Sequence, residues 1–567
     1  MAVKSILINY NGYPASPCNL MPDNGLANLA GALISKGHKT KIFDFATVDI
    51  IKKLYPYSYK LAIFFSLNRI MRRVMGGKTP RKEDIRKFND ITRRIEVMRD
   101  GKIREMAREI SSYISSHEID FVGFKLWTGD GFRGAVIIAE EIRKAHPHIP
   151  IIAGGPHVHR FHEKIFTATD VFDIIVDGEG EDVITQLAEY VEGKKRLEDI
   201  PNLIYKRGGE IICNPIKRIE DVNTIAPPVY DEDVYPAMIG NQKIKIILLD
   251  ESRGCPNTCS FCIHSAIAGH RWRLADPDHL VDTIEYIKNN YGFKAFRFAG
   301  SNPPLVLSHN ISEEIARRNL DIVFTTNMHV RNLKEQHLTA MKKAGCIGGF
   351  FGVESGSQEI LNRAMNKNVD VDQVRRAFML CKKVGIETVA SIVHPAPFET
   401  EKTKRETLRL LKDIRPESTL VCAPCLIPGS EWDKNKRQYG FELASDEAFF
   451  KEVMTYKIDI FTPPILWKPL KGYKLNGRSF QDLAGESYKF SQALEKNGLI
   501  TQLTDEMFIM AKYADMTPAQ FKNECIKDLL SGNSKRLEKI VARINKGVVI
   551  PKKSSAAPMI LTTSPSA

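Results

Sequence analysis

The chain has 567 residues, 43% of them hydrophobic, and a formal charge of +13. It is long enough for three or four cores, and no run of eighteen apolar residues is available to cross a bilayer, which excludes a helical membrane-spanning protein. The surplus charge is local, with 16 Lys/Arg against 5 Asp/Glu between Ile51 and Arg104, so a general nucleic-acid-binding surface is not expected. The start, MAVKSILINYNGYP, enters a strand-like run almost at once without the apolar core of a signal peptide, and the ten cysteines do not form a secreted disulfide framework. A cytoplasmic location is the expectation.

Residues 1–46 read strand, loop, helix, strand: SILINYN, a loop rich in Pro, Gly and Asn, a helix over about 25–35, then TKIFDF. The basic stretch reads as a helical insertion over 47–104. Within it, LAIFFSL lies between Lys52, Lys53 and Lys60 on one side and Arg69, Arg72, Arg73 and Lys78 on the other. Two readings stay open. One is an amphipathic helix on an anionic membrane surface, or a lid over a greasy substrate; the other is an insertion whose apolar face packs on its own domain. Alternation resumes with a helix near 103–116, the strand FVGFKLW, a helix over about 132–145, PIIAGG, DIIVDG and a helix from about Asp182. Short apolar runs between amphipathic helices predict a parallel, doubly wound, Rossmann-like sheet over 1–195, with ligands beyond the carboxyl ends of its strands. Those ends carry Asn9–Gly12, Trp127–Gly131, Gly154–His157 and Asp177–Glu181. Four polar, glycine-bearing loops on one edge favour a ligand over tight turns alone.

Residues 196–242 read as a linker with a small hairpin, LIYKRGGEIICN. A second α/β series over 243–440 has strand candidates KIKIILLDESRG, KAFRFAG, IVFTTNM, CIGGFFGVES, ETVASIVH and STLVCAPC. Six strands with helices between them predict a partial (β/α)6 TIM-type barrel, since a full eight-stranded barrel takes about 250 residues. Residues 441–550 are predicted to be mostly helical, and 551–567 a disordered tail.

After the first barrel strand, RGCPNTCSFC puts Cys255, Cys259 and Cys262 within eight residues. Zinc takes four ligands, often as paired C-x2-C units; His264 and His270 follow, yet no fourth Cys or His falls at such spacing. Three thiolates on a tight loop suit a [4Fe–4S] cluster that leaves one iron open to a small chelating molecule. Gly254 and Pro256 fit a backbone that must wrap closely around it. Cys422 and Cys425 form a C-x2-C pair at the end of the sixth strand and read as small residues packed beside a site, in preference to a redox or auxiliary metal centre. Cys18, Cys213, Cys346, Cys381 and Cys525 read as buried thiols.

The cysteine loop is followed by GHRWRLADPDHLVDTIEYIKNNYGFKAFRFAG, LTAMKKAGCIGGFFGVESGSQEILNRAMNKN, FET and LIPGS. In that order they resemble the radical S-adenosylmethionine (SAM) superfamily, in the subgroup with an N-terminal cobalamin (B12)-binding domain. MPDNGLANLAGALISKGHKTKIFD, IIAGGPHVH and IIVDGEGED are similar to that domain's loops, and the resemblance covers about residues 1–440. It implies that Cys255, Cys259 and Cys262 ligate the cluster, that SAM binds the open iron, and that Phe261 meets the adenine. Gly300, Ser301 and Asn302 would receive the SAM amino group, within AGSNPP instead of the commoner acidic or GGE form. Glu354, Ser355 and Ser357 are further SAM candidates, and Arg375 or Arg376 could be a counter-charge or lie on a solvated helix face. Cobalamin candidates are Asn11, Trp127, Thr128, Gly154, Gly155, Pro156 and Glu179. The loop after SILINYN lacks the Asp-x-His-x-x-Gly of histidine-ligated cobalamin, which implies base-off binding without a histidine ligand. His157 and His159, after the fourth strand, are not expected ligands.

By the same resemblance, one electron from a reductant such as flavodoxin or ferredoxin cleaves SAM to methionine and a 5'-deoxyadenosyl radical. The radical takes a hydrogen from an unactivated carbon, which is methylated by methylcobalamin. C-methyltransferase is the leading expectation. The alternative is cyclisation or oxidative rearrangement without methyl transfer, and the weakest is a non-catalytic cluster or cobalamin sensor. The substrate class is left open between a small molecule, a lipid and a peptide, and residues 51–104 are the candidate for peripheral membrane contact.

Overall fold

The computed structural model describes residues 2–75, 78–264, 267, 269–457, 462 and 464–550. In the N-terminal part, β1 (Lys4–Asn9), β2 (Lys39–Asp44), β3 (Phe121–Lys125), β4 (Ile151–Gly154) and β5 (Ile174–Val176) form a parallel sheet in the order β2-β1-β3-β4-β5. This is one of the two common doubly wound orders, and it places ligands at the carboxyl ends. β1 is buried on both faces: Ile6 and Ile8 pack into one core while Leu7 packs into another, which is why it reads as an unbroken apolar run. The hairpin β6 (Leu203–Arg207) and β7 (Glu210–Cys213) adds antiparallel to β5, so it extends this sheet. Leu203 and Tyr205 cover one face of the sheet and Ile204 the other. Cys213 ends the edge strand and is exposed, not buried as expected.

The basic insertion folds as α1 (Lys60–Met75) lying on α2 (Lys82–His117). The helix expected near 103–116 is the last part of α2. There Ile103, Met106, Ala107, Ile110 and Ile114 are buried at helical spacing, while the first half buries little beyond Phe88 and Ile95 and leaves a faint periodic signal.

The second sheet has six parallel strands in chain order: β8 (Ile247–Leu249), β11 (Ala295–Phe298), β12 (Val323–Met328), β13 (Cys346–Glu354), β14 (Glu387–Val393) and β15 (Ser418–Cys422). A short antiparallel ladder, β9 (Ser252–Arg253) with β10 (Arg273–Leu274), closes the base of the cysteine loop. Phe296, Phe298, Phe324 and Met328 pack into one core. Ala295 and Val323 pack instead with Met507 and Met510, from a C-terminal helix, Glu506–Tyr513. That helix covers the amino-terminal halves of the inner strands, and Asp505 just before it pairs with Arg297 of β11 at 3.2 Å.

The region expected to be mostly helical also contains a three-stranded antiparallel sheet, β16 (Phe441–Leu443), β17 (Tyr473–Leu475) and β18 (Arg478–Ser479). The expected tail at 551–567 lies outside the described residues. Among the described residues no helix is long and apolar enough to cross a membrane.

Candidate functional site

The cysteine loop leaves β9 through Gly254, whose φ of 89° would strain any other residue. Each part of the loop is then fastened to a different neighbour. Asn257 accepts from Arg331, Asn366 donates to the Thr258 carbonyl at 3.0 Å, and the Ser260 amide donates to the Met365 carbonyl at 2.9 Å. Asn257 also points its amide at the Cys255 thiol, 3.5 Å away. All three cysteines are free. Among the described residues no three Cys, His, Asp or Glu side chains converge closely enough to hold a single ion. Burial pushes the Cys259 thiol up and Cys262 to about 11. The Lys367 charge acts on both and favours their thiolates.

Lys367 was not singled out by the sequence. Its ammonium is 3.0 Å from Glu354 Oε1 and 5.8 Å from the centre of the Phe261 ring. Burial works against its charge, but Glu354 and the thiols raise its pKa overall. The local signal is Asn-Lys-Asn: Asn366 and Asn368 both take the left-handed region that asparagine tolerates, at φ 47° and 53°. Glu354 ends β13 where the register slips after Gly352, and it too is left-handed, at φ 64°. For a glutamate that conformation costs roughly 1–3 kcal/mol, so the surroundings hold its carboxylate in place against strain.

Around the same carboxyl ends, Gly300 donates its amide to Glu251 Oε2 at 2.9 Å. A Cβ on Gly300 would lie 2.4 Å from Ser252 Oγ and 2.9 Å from the Glu251 carboxylate, so any larger residue there would displace one of these side chains. Burial raises the Glu251 carboxyl to about 7. Ser301 lines the central cavity, and the Asn302 carbonyl accepts from Trp272. His329, just past β12, accepts the Arg331 amide on Nδ1 and keeps a buried Nε2 without a partner among the described residues. Burial, then Lys367 and Arg331, hold it neutral, near pKa 3. Cys422, at the end of β15, is exposed.

A cavity of about 500 Å³ is lined by both parts of the chain; the cysteine loop reaches it through Gly254, Ile263 and His264, whereas Cys255, Cys259, Cys262, Glu354 and Lys367 are not part of the lining. The first sheet contributes Gly154, Gly155, Pro156, His159, Arg160 and Glu179; the second contributes Gly254, Ile263, His264 and Ser301. Gly123, in the middle of β3, is part of the wall, and a Cβ there would meet Leu7 at 2.8 Å. Gly155 and Gly178 both have positive φ, 98° and 120°, so backbone forms much of the surface. A ligand could therefore come close to main-chain groups.

Carboxylates of the first sheet's last loop clamp the arginines on either side of the cysteine loop. Arg253 reaches Glu181 at 2.5 Å, Asp250 at 3.3 Å and Glu179 at 3.4 Å, and Arg273 reaches Glu179 at 2.7 Å. Burial alone would disfavour the Arg253 charge, and Glu181 and Asp250 outweigh it. Glu179 also accepts the Ile219 amide at 2.7 Å, so its carboxylate ties the two halves together. The segment 430–457 adds a further link between the two parts. Trp432 donates its amide to the Ser260 carbonyl at 2.9 Å and stands 5.8 Å from Phe261, while Tyr439 bonds Ser260 Oγ at 3.2 Å. Farther along, the Met454 carbonyl accepts from Gly129 at 2.9 Å and Lys457 pairs with Asp130 at 2.7 Å. One segment thus touches the cysteine loop and a strand-end loop of the first sheet.

The expected residues divide accordingly. Cys255, Cys259, Cys262, Phe261 and Glu354 come together with Lys367. Gly154, Gly155, Pro156 and Glu179 line the cavity, whereas Asn11, Trp127 and Thr128 do not. Trp127 donates to Asn9 Oδ1 at 2.7 Å, and Thr128 sits 3.3 Å from His157 Nδ1. His157 is enclosed between Phe132 and Phe161 and held neutral, near pKa 3, by burial. Ser355 bonds Thr407 at 3.1 Å and Ser357 bonds Glu406 at 2.5 Å, committing both hydroxyls to the neighbouring helix. Arg375 pairs with Asp413 at the surface, which leaves Lys367 as the buried cation by the cysteines.

Comparison with known proteins bears on the same two regions. A model of the Radical SAM superfamily matches residues 252–411, and a model of the B12 binding domain matches residues 93–188. An uncharacterised methyltransferase of Pyrococcus horikoshii is 28% identical over 312 residues, 54% of this chain and 67% of that protein. The anaerobic magnesium-protoporphyrin IX monomethyl ester cyclase of Rubrivivax gelatinosus is 29% identical over 291 residues, and the chain spans only 51% of that relative's length. The structure of the radical S-adenosylmethionine methyltransferase TsrM from Kitasatospora setae, with cobalamin and a [4Fe–4S] cluster bound, superposes with a TM-score of 0.63 at 14% identity. That superposition covers 95% of this chain and 100% of TsrM, and at such identity it is a likeness of fold.

Proposed function

We propose, from the premise that this chain joins a B12-binding domain to a radical SAM domain, that it is a cobalamin-dependent radical SAM C-methyltransferase. One observation carries the reading: the cysteine loop and the glycine-lined strand ends of the other sheet open on one shared cavity. When bound, a [4Fe–4S] cluster with SAM would supply a radical, and cobalamin a methyl group.

Each side of the site has groups suited to its part. Cys255, Cys259 and Cys262 hold the cluster, and the Lys367 ammonium offsets the negative charge that three thiolates bring together. Glu354 is placed to accept from an ammonium group, and Phe261 presents a ring face to a nucleoside. Gly154, Gly155 and Pro156 admit the corrinoid close to backbone. The loop after β1 would supply it no histidine ligand, since that loop contains none, and His157 is enclosed by aromatic rings. The Arg253 clamp fixes the cysteine loop relative to that surface, and segment 430–457 keeps water from the shared space. A small one-electron reductant is the partner this chemistry needs, and a peripheral membrane contact through 51–104 is taken up below.

The test is product analysis under anaerobic turnover with candidate substrates. Methyl transfer predicts S-adenosylhomocysteine alongside 5'-deoxyadenosine and methionine; a converted substrate with no S-adenosylhomocysteine contradicts it. A second reading, ring closure or oxidative rearrangement without methyl transfer, is favoured by the 29% identity to a protein named as a cyclase. The same measurement separates the two.

A further inference from the structure

The basic insertion presents a surface that the cofactor chemistry does not use. α1 lies along α2 through one side: Ile70 is fully buried, and Ile63, Leu67 and Val74 share its side at helical spacing, each half-buried. The opposite side carries Leu61, Phe64 and Phe65, which are 68%, 58% and 60% exposed. The two phenyl rings meet edge-on, 5.6 Å apart. Arg72 continues this outer side, and Tyr57, just before the helix, is 53% exposed. α1 is thus apolar on two sides while its own domain covers one, so packing within the insertion does not account for LAIFFSL.

Charge selects the occupant. Lys52, Lys53, Lys60, Arg72, Lys78 and Arg81 make no ion pair among the described residues; in contrast Arg69 pairs with Asp84 at 3.4 Å. Lys60 and Arg72, on the same helix as the exposed leucine and phenylalanines and without an ion pair among the described residues, match a surface both anionic and greasy. A second copy of this net-basic segment would bring like charges together. We propose that the outer side of α1 docks on an anionic lipid surface, inserting Leu61, Phe64 and Phe65 between headgroups that the free lysines and arginines neutralise. Contact is peripheral, since no described helix can span a bilayer.

The experiment is co-sedimentation of the full-length protein with phosphatidylcholine vesicles, with and without phosphatidylglycerol. About tenfold more protein should pellet with the anionic vesicles, falling at high salt. The Phe64→Ser/Phe65→Ser double variant should stay in the supernatant with unchanged helix content by circular dichroism. A Phe64→Trp variant should shift its fluorescence to the blue when anionic vesicles are added. Wild-type protein remaining in the supernatant with both vesicle types overturns the proposal, as does an unshifted emission from the Phe64→Trp variant or a double variant that pellets like wild type. So does a wild-type dimer on gel filtration that the double variant abolishes, which would assign the face to a second copy. None of these readings depends on the cofactors, so their failure is distinct from a failure of the proposed reaction.

Discussion

The two parallel sheets meet the shared cavity with loops of opposite character. The first offers shape: Gly154, Gly155 and Gly178 turn backbone toward the space, with left-handed φ at the last two. The second lines it with Gly254, Ile263, His264 and Ser301 and carries its chemistry outside that lining: three free thiols, a strained Glu354, a buried Lys367 and a His329 nitrogen without a partner among the described residues. A surface made of backbone can receive a large cofactor whose reactivity is its own, whereas thiols and paired charges must be held individually. The contrast predicts that changes on the first sheet fail by exclusion and changes on the second by lost chemistry.

The largest effect should come from the second sheet. Cys255→Ala should lose nearly all bound iron and the cluster's visible absorption after anaerobic reconstitution while still binding corrinoid; a full iron complement would break the contrast. Next comes Gly155→Val. A Cβ there lies 3.0 Å from Lys125 Cγ and forces a branched residue into φ 98°, so corrinoid content should fall about tenfold or more with iron unchanged. Both contents should be read on the same gel-filtered sample, since a joint loss would mean unfolding.

Lys367→Met leaves Glu354 buried without its cation, which costs about 3–5 kcal/mol. Chemical denaturation should show that loss, and adding Glu354→Gln should recover much of it. A single variant as stable as wild type would mean that the pair is not held as described. The smallest effect concerns pH. Burial raises Glu251 from 4.5 to about 7, so the folded protein binds this proton more tightly than the unfolded chain. That stability is present below pH 4.5 and is lost as pH rises through about 7. Glu251→Gln keeps an acceptor for the Gly300 amide and removes the titration, so its Tm should decline less than wild type between these pH values. Parallel Tm profiles would contradict the assignment.

Much of this was legible in the sequence because strands and cysteines leave local marks. Six short apolar runs separated by helical stretches announced β8 and β11–β15, and C-x3-C-x2-C needs only one loop to be read. What could not be read depends on chain brought from far away. Lys367 faces Cys259 only after β13 and the helix following it fold back, and nothing near Arg253 foretells Glu179 and Glu181, about seventy residues earlier. Ser355 and Ser357 sit beside Glu354 in sequence, yet they turn to Thr407 and Glu406. Adjacency could not distinguish the carboxylate that faces the cysteines from hydroxyls that fasten a helix. Asn11, Trp127 and Thr128 likewise end strands on the expected edge without lining the cavity.

The central claim is that one chain holds both cofactors across a shared space. Anaerobic reconstitution with iron, sulfide and cobalamin, followed by gel filtration and metal, sulfide and corrinoid analysis, tests it most directly. The account predicts about four iron atoms and about one corrinoid per chain, with a base-off corrinoid spectrum. Protein that retains iron but no corrinoid, or corrinoid but no iron, would contradict it.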